Sequence, residues 1–215
     1  VRPRASLALL LLALVAAACS SGGNPGTTSG AAMSTPGATP VVTGPVLLGL
    51  NTGPAPWPPE QRFLPQRLRA IGLPPLGPEV TRIHFHVNLV VDVLGRNVVV
   101  PFGVGIDFRK GLLAEIHTHA DRGTIHIEAA KAKRFTLGMV FDVWGVRFSA
   151  DCIGGYCDDG TNTIRVFLDG RPYTKNPADL LLANDQVIVV AYGTAQQVPN
   201  PMPARFVYEG TPKPA

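Results

Sequence analysis

Charge is scarce in this chain. Only 16% of its 215 residues are Asp, Glu, Lys or Arg, against 46% hydrophobic, a balance too apolar for a wholly disordered protein. Aromatics are few as well, at 7%. The formal net charge is +4, but Arg2 and Arg4 stand in an apolar leader, and the 19 Lys and Arg less these two, against 15 Asp and Glu, leave +2. The longest basic cluster, Lys131–Lys133–Arg134, has no aromatic platform around it, so no nucleic-acid partner is expected. Several catalytic signatures are missing too. There is no Gly-rich phosphate loop, no Cys-x-x-Cys-His haem attachment and no Gly-x-Ser-x-Gly nucleophile elbow. Asp158-Asp159-Gly160 lacks the further oxygen donors of a calcium loop and is expected to be a turn.

Proline is missing from the middle. Of 21 prolines, 12 lie in residues 25–78 and five in 199–214, leaving Pro101, Pro172 and Pro177 between 79 and 198. A proline-poor stretch of this size suits one packed domain with a real core and excludes a multidomain enzyme. The expected division is a leader over 1–18, a Gly/Ser/Thr/Pro tether over 19–56, one globular domain over 57–195 and a Pro-rich tail over 196–215.

The leader has a clear chemistry. Arg2 and Arg4 precede an apolar run from Leu7 to Ala18, too short to span a bilayer but suited to a signal-peptide core. It ends Leu14-Val15-Ala16-Ala17-Ala18-Cys19, followed by Ser-Ser-Gly-Gly. This resembles the lipobox of bacterial lipoproteins, with Ala16 in place of the usual larger aliphatic residue. The resemblance implies lipidation of Cys19 and anchoring on the extracytoplasmic face of the cell membrane. Export in turn favours a disulfide between Cys152 and Cys157, which flank Ile-Gly-Gly-Tyr. A pair of metal thiolates is the alternative, at a spacing looser than a zinc knuckle.

Periodicity predicts an α+β domain: a mixed or mainly antiparallel sheet with one packed amphipathic helix. Leu64, Leu68 and Ile71 mark a short helix that Pro65 opens and Gly72 with Pro74 closes. Over 82–93, Ile83, Phe85, Val87, Leu89 and Val91 alternate with His84, His86, Asn88, Val90 and Asp92, the pattern of a strand with one apolar face. A turn at Leu94-Gly95 leads into a hairpin partner at 97–100. Further strands are expected at 124–128, 146–150, 163–168 and 186–192. The main helix carries Leu137, Val140, Phe141 and Trp144, with Thr136 as N-cap and Gly145 as stop. Asp169-Gly170 is a turn, and Asn176-Pro177 caps a further helical turn. By analogy the C-terminal half is β-grasp-like.

All five histidines fall between residues 84 and 126, as His84-Phe-His86, His117-Thr-His119 and His126. Residues i and i+2 of a strand point the same way, so each pair is expected to project together. Neutral imidazole is a common ligand for transition metals, and several on adjacent strands make a site. The expected ligands are His84, His86, His117, His119 and His126, for one zinc or copper ion. Carboxylates at Glu115, Asp121 and Glu128 suit the outer positions that orient such ligands. Without a metal, the same carboxylates, with Asp107, are the expected hydrogen-bond partners of these histidines.

The run from His84-x-His86 through His117-Thr-His119-Ala-Asp-Arg-Gly-Thr-Ile-His126-Ile-Glu128, then Phe135-Thr-Leu-Gly and Phe141-Asp-Val-Trp-Gly145, resembles a family of exported proteins of actinobacteria and related bacteria. The resemblance covers roughly residues 57–193; it implies one coherent exported domain and brings no activity with it. Shorter fragments are similar to other families. The α-carbonic anhydrases carry Phe-His-Phe-His and Glu-Leu-His around a three-histidine zinc, similar to Ile83-His84-Phe85-His86 and Ala114-Glu115-Ile116-His117, although here the interval is longer and the chain shorter. Multicopper oxidases use His-x-His pairs in larger proteins with a Cys–His–Met copper site that this chain lacks. Cupins follow His-x-His closely with Glu, whereas Glu128 lies nine residues after His119.

These residues lead to a membrane-tethered lipoprotein that binds zinc or copper through histidines. Two other classes remain open: a zinc-dependent hydratase or hydrolase using three histidines and a bound water, and a metal-free module whose histidines meet a partner.

Overall fold

The computed structural model describes residues 47–206. The leader, Cys19, most of the tether and the tail beyond 206 lie outside the described residues.

The first helix, α1 (Leu64–Ala70), buries Leu64 and Leu68 and has proline in its first turn. Ile71 stands at its C-cap, and Gly72 leaves it at φ +73°. The long strand β1 (Ile83–Val93) follows. Its odd positions face the core, with Val87, Leu89, Val91 and Val93 buried and Ile83 and Phe85 packed at the core's margin. Leu94 and Gly95 both take positive φ, 54° and 75°, the two-residue turn whose twist suits a hairpin. The chain returns as β2 (Arg96–Val98), paired antiparallel with the end of β1.

A small ribbon, β3 (Ile106–Asp107) with β4 (Leu112–Leu113), precedes β5 (Ile116–His117) and β6 (Thr124–Ala129). Next comes α2 (Leu137–Trp144). The Thr136 hydroxyl accepts from the Met139 amide, and Gly145 ends the helix in the left-handed region. Leu137, Val140, Phe141, Val143 and Trp144 are all buried, each contributing roughly 1.5–3 kcal/mol of apolar burial. A second ribbon, β7 (Cys152–Ile153) with β8 (Tyr156–Cys157), sets Cys152 directly opposite Cys157, and the two are disulfide-bonded. Then come β9 (Thr163–Leu168), β10 (Arg171–Tyr173), a 3₁₀ turn at Pro177–Asp179 capped by the Asn176 side chain, and β11 (Val187–Gly193).

The main sheet has seven strands in the order β10-β9-β11-β1-β6-β5, with β2 also on β1. Within this sheet, among the described residues, only the β1–β11 pair is parallel, so the domain is α+β with a mixed sheet. The hairpin, short helical turn and returning strand of the C-terminal half are present as β9, β10, Pro177–Asp179 and β11. The length of β1 matters for the site. Ile83–Asn88 pair with β6, and Asn88–Val93 pair with β11. The His84–His86 end of β1 therefore lies against β6 and not β11.

Two expectations need correction. Residues 146–150 do not form a strand: Val146 bridges Asn51 and Phe148 bridges Ile153, two isolated contacts to different segments. The folded chain also starts ahead of Trp57, inside the stretch assigned to the tether. Asn51 N–H donates to Gly145 O, and Gly155 N–H donates to Gly53 O. The Leu48 carbonyl accepts from Arg67, which is fully buried and also reaches Glu60 and the Asp142 and Val143 carbonyls. A buried guanidinium must find acceptors for its five N–H groups, and the chain before Trp57 supplies one.

Candidate metal centre

Strand register assembles the site. On β1 and β6, His84 pairs with Glu128 and His86 with His126. On β5 and β6, His117 pairs with His126. His86, His126 and His117 therefore form one rung across three adjacent strands, and His84 and Glu128 form the next. Directly opposed side chains in a sheet stand about 4.5–5.5 Å apart at Cβ, so the register alone brings the imidazoles together. His119 follows β5 in a bend and folds back onto His117.

Glycine makes this packing possible. Gly123, at φ +76°, leads into β6 so close to β1 that a Cβ there would lie 2.2 Å from the Leu89 carbonyl oxygen. Thr118, fully buried between the two histidines of the second pair, holds them against the 101–104 loop. Its hydroxyl donates to Pro101 O (2.6 Å) and accepts from Val104 N–H (3.0 Å).

The donor atoms lie close. His84 Nε2 is 3.0 Å from His86 Nε2, and His117 Nε2 is 3.0 Å from His119 Nε2. The His126 ring sits between the pairs, 4.5 Å from that of His86 and 4.6 Å from that of His119. Glu128 completes the group. One of its oxygens is 3.3 Å from His84 Nε2 and 3.6 Å from His126 Nδ1, and the other is 3.8 Å from His117 Nε2. Two sets of ligand atoms lie within 4.8 Å of one another: His117, His119, His126 and Glu128, and His84, His86 and His126.

Electrostatics holds the rings in their ligating form. Burial pushes the His117 pKa down to about 4, although a bond to the Ala114 carbonyl opposes the shift. Burial and the neighbouring histidines push His126 down to about 3. His86 is lowered too, chiefly by burial. Burial and the nearby Glu79 carboxylate, which hydrogen-bonds to it, push Glu128 up to about 7. The inner rings are thus neutral at pH 7 and can donate lone pairs. His117 Nδ1–H donates to Ala114 O at 2.8 Å, which fixes the tautomer and leaves Nε2 as the lone pair facing His119 and Glu128. The second Glu128 oxygen is buried and has no hydrogen-bond partner among the described residues. A cation between these atoms would satisfy all of them. The cluster can hold a metal ion.

Not every expected residue joins it. The five histidines and Glu128 converge, but Glu128 stands among the donors rather than behind them. Glu115 lines the same pocket as His117, but the chain bends at Glu115 before β5 begins, and its carboxylate pairs with Lys133 at 2.7 Å. Asp121 accepts from the Phe102 amide and so braces the loop. Asp107 pairs with Lys110. The orienting role expected of Glu115 and Asp121 falls instead to the Ala114 carbonyl, which no side-chain pattern reveals. Sequence reasoning also passed over Thr118, Glu79 and Asn184, whose side-chain oxygen accepts from the His86 amide. The threonine between two histidines was the only signal for any of these three.

Beside the cluster lies a pocket of about 220 Å³, lined by Pro74, Pro78, Glu79, Glu115, His117 and Glu128 among others. Comparison with protein-family models, with curated proteins and with solved structures gives no match.

Proposed function

We propose that this protein is a lipid-anchored, extracytoplasmic metal-binding protein that takes zinc or copper(II) through its histidine cluster. The supporting observation is the rung His86–His126–His117 with Glu128 in its midst, whose inner imidazoles are kept neutral. Imidazole with a carboxylate suits zinc and copper(II); copper(I) prefers thiolate or thioether donors. The chain has three methionines, Met33, Met139 and Met202, scattered along the sequence rather than grouped.

The full chain, stripped with EDTA and given zinc or copper(II), is expected to retain metal through gel filtration and to gain thermal stability. A His117→Ala/His126→Ala variant is expected to do neither. A metal-free eluate with no thermal shift would refute the reading. The anchor rests on the leader and on Cys19. Among the described residues no helix is long and apolar enough to cross a membrane. Cys19→Ala is expected to move the protein from the membrane fraction to the soluble one, and unchanged membrane retention would refute lipidation there. No nucleic acid enters this reading.

The pocket favours a second reading, a metal-dependent enzyme. His117 and Glu128 line both cluster and cavity, so a small molecule there would lie next to the ion. A bound metal would supply Lewis acidity and an activated water. Hydration of carbon dioxide and ester hydrolysis are the assays, and turnover equal to that of His117→Ala would dismiss it.

A further inference from the structure

The donor set is larger than one ion needs. Five imidazoles and a carboxylate converge, whereas zinc is ordinarily four-coordinate. The spare donors are also ordered. Two nitrogens bound to one ion at 2.0–2.1 Å stand about 2.9–3.4 Å apart for right-angle to tetrahedral geometry. Each His-x-His pair shows that bite on its own, at 3.0 Å in both. The pairs come from different strands and lie on either side of His126. They fall into two overlapping groups of mutually close ligand atoms, His84 with His86 and His126, and His117 with His119, His126 and Glu128, so His126 is common to both. Glu128 turns one oxygen to each pair, Oε1 to His84 and Oε2 to His117, the disposition of a carboxylate spanning two cations. Its charge matters, because two dications held by imidazoles alone would repel one another. Glu79, on the wall of the adjoining pocket, is a further carboxylate beside Glu128.

We propose that the cluster is a dinuclear centre, in which His84 and His86 clamp one divalent transition ion, His117 and His119 clamp a second, and Glu128 bridges them with His126 between. This inference rests on the metal-binding reading and deepens it. Carboxylate-bridged pairs of ions are also suited to holding one small oxyanion or water across both metals, and the pocket opens at the His117–Glu128 side.

The test is stoichiometry with copper(II) and, separately, zinc as the only added ligands. EDTA-stripped full chain is titrated calorimetrically, and the gel-filtered product is assayed for metal. Two equivalents per chain are expected. His84→Ala/His86→Ala removes two rings at the solvent-facing margin and is expected to retain one equivalent. Glu128→Gln is expected to weaken the second equivalent at least tenfold relative to the first. In the copper(II)-loaded wild type, the electron paramagnetic resonance intensity is expected to fall well short of two isolated ions, because neighbouring spins couple. One equivalent in the wild type, or two uncoupled copper signals at full intensity, overturns the dinuclear centre while metal binding stands. No retained metal overturns both. Two equivalents in His84→Ala/His86→Ala overturn the assignment of the first clamp.

Discussion

Replacing Glu128 with glutamine should change stability in opposite directions with and without metal. Glutamine keeps the shape and cannot carry charge. In the metal-free protein the Glu128 carboxyl titrates at about 7 rather than its ordinary 4.5, mainly because it is buried. The folded state therefore binds more protons than the unfolded state between those values, and wild-type stability falls as pH rises through that window. A shift of about 2.5 units corresponds to about 3 kcal/mol at 1.36 kcal/mol per unit. Glu128→Gln escapes this penalty. Relative to the wild type, the metal-free variant should therefore be about 3 kcal/mol better off at pH 8 than at pH 4.5. Comparing the two proteins at the same pH cancels titrating groups that do not interact with Glu128, including Asp142, which burial also pushes up to about 7. The assay is urea denaturation of EDTA-treated protein at both pH values. With zinc present at pH 8 the order should reverse, because the carboxylate then has its cations. A wild-type-to-variant difference that is independent of pH, or a metal-free wild type more favoured at pH 8 than at pH 4.5, would refute the assignment of Glu128 as a buried, unsatisfied donor.

Other perturbations test the supports of the site. Thr118→Val leaves the Val104 N–H and Pro101 carbonyl without their partner and should cost about 2 kcal/mol; chemical denaturation reads this, and calorimetry should show weaker metal binding in the same variant. Arg67→Ala strips a fully buried guanidinium from Glu60 and several carbonyls; about 3–5 kcal/mol should be lost, visible as a lower urea midpoint. Reducing Cys152–Cys157, which closes a loop of sequence separation 5, should cost roughly 2 kcal/mol. Metal stoichiometry should not change on reduction, because neither cysteine belongs to the groups of ligand atoms. Loss of metal on reduction alone would count against this.

The apolar face of β1 and the ends of α2 were legible because they are local. Alternation sets which side chains point inward, and a threonine and a glycine at the right offsets bound a helix. Strand partners are not local. The chain shows His84-x-His86 and His126-x-Glu128 as separate patterns, but only the antiparallel register lays one on the other and places Glu128 opposite His84. With that register in hand, Glu128 is a donor by the same i, i+2 rule that pairs His84 with His86. The same spacing brings Glu115 to the pocket wall beside His117, but Lys133, outside the local pattern, claims its carboxylate. The packed segment before Trp57 escaped notice because it carries no charged or aromatic residue, although Leu47, Leu48 and Leu50 are apolar enough to have marked it. What holds it is backbone pairing of Asn51 and Gly53 with distant segments and the buried Arg67 on the Leu48 carbonyl, none of which shows in the segment's composition.

X-ray absorption at the metal edge of the zinc- or copper(II)-loaded full chain tests the central claim most directly. The account predicts a first shell dominated by nitrogen at about 2.0 Å, with the multiple scattering of several imidazole rings, lost together with the metal in His117→Ala/His126→Ala. A shell of oxygen alone, without imidazole scattering, would show that these histidines share a face of the sheet without holding an ion.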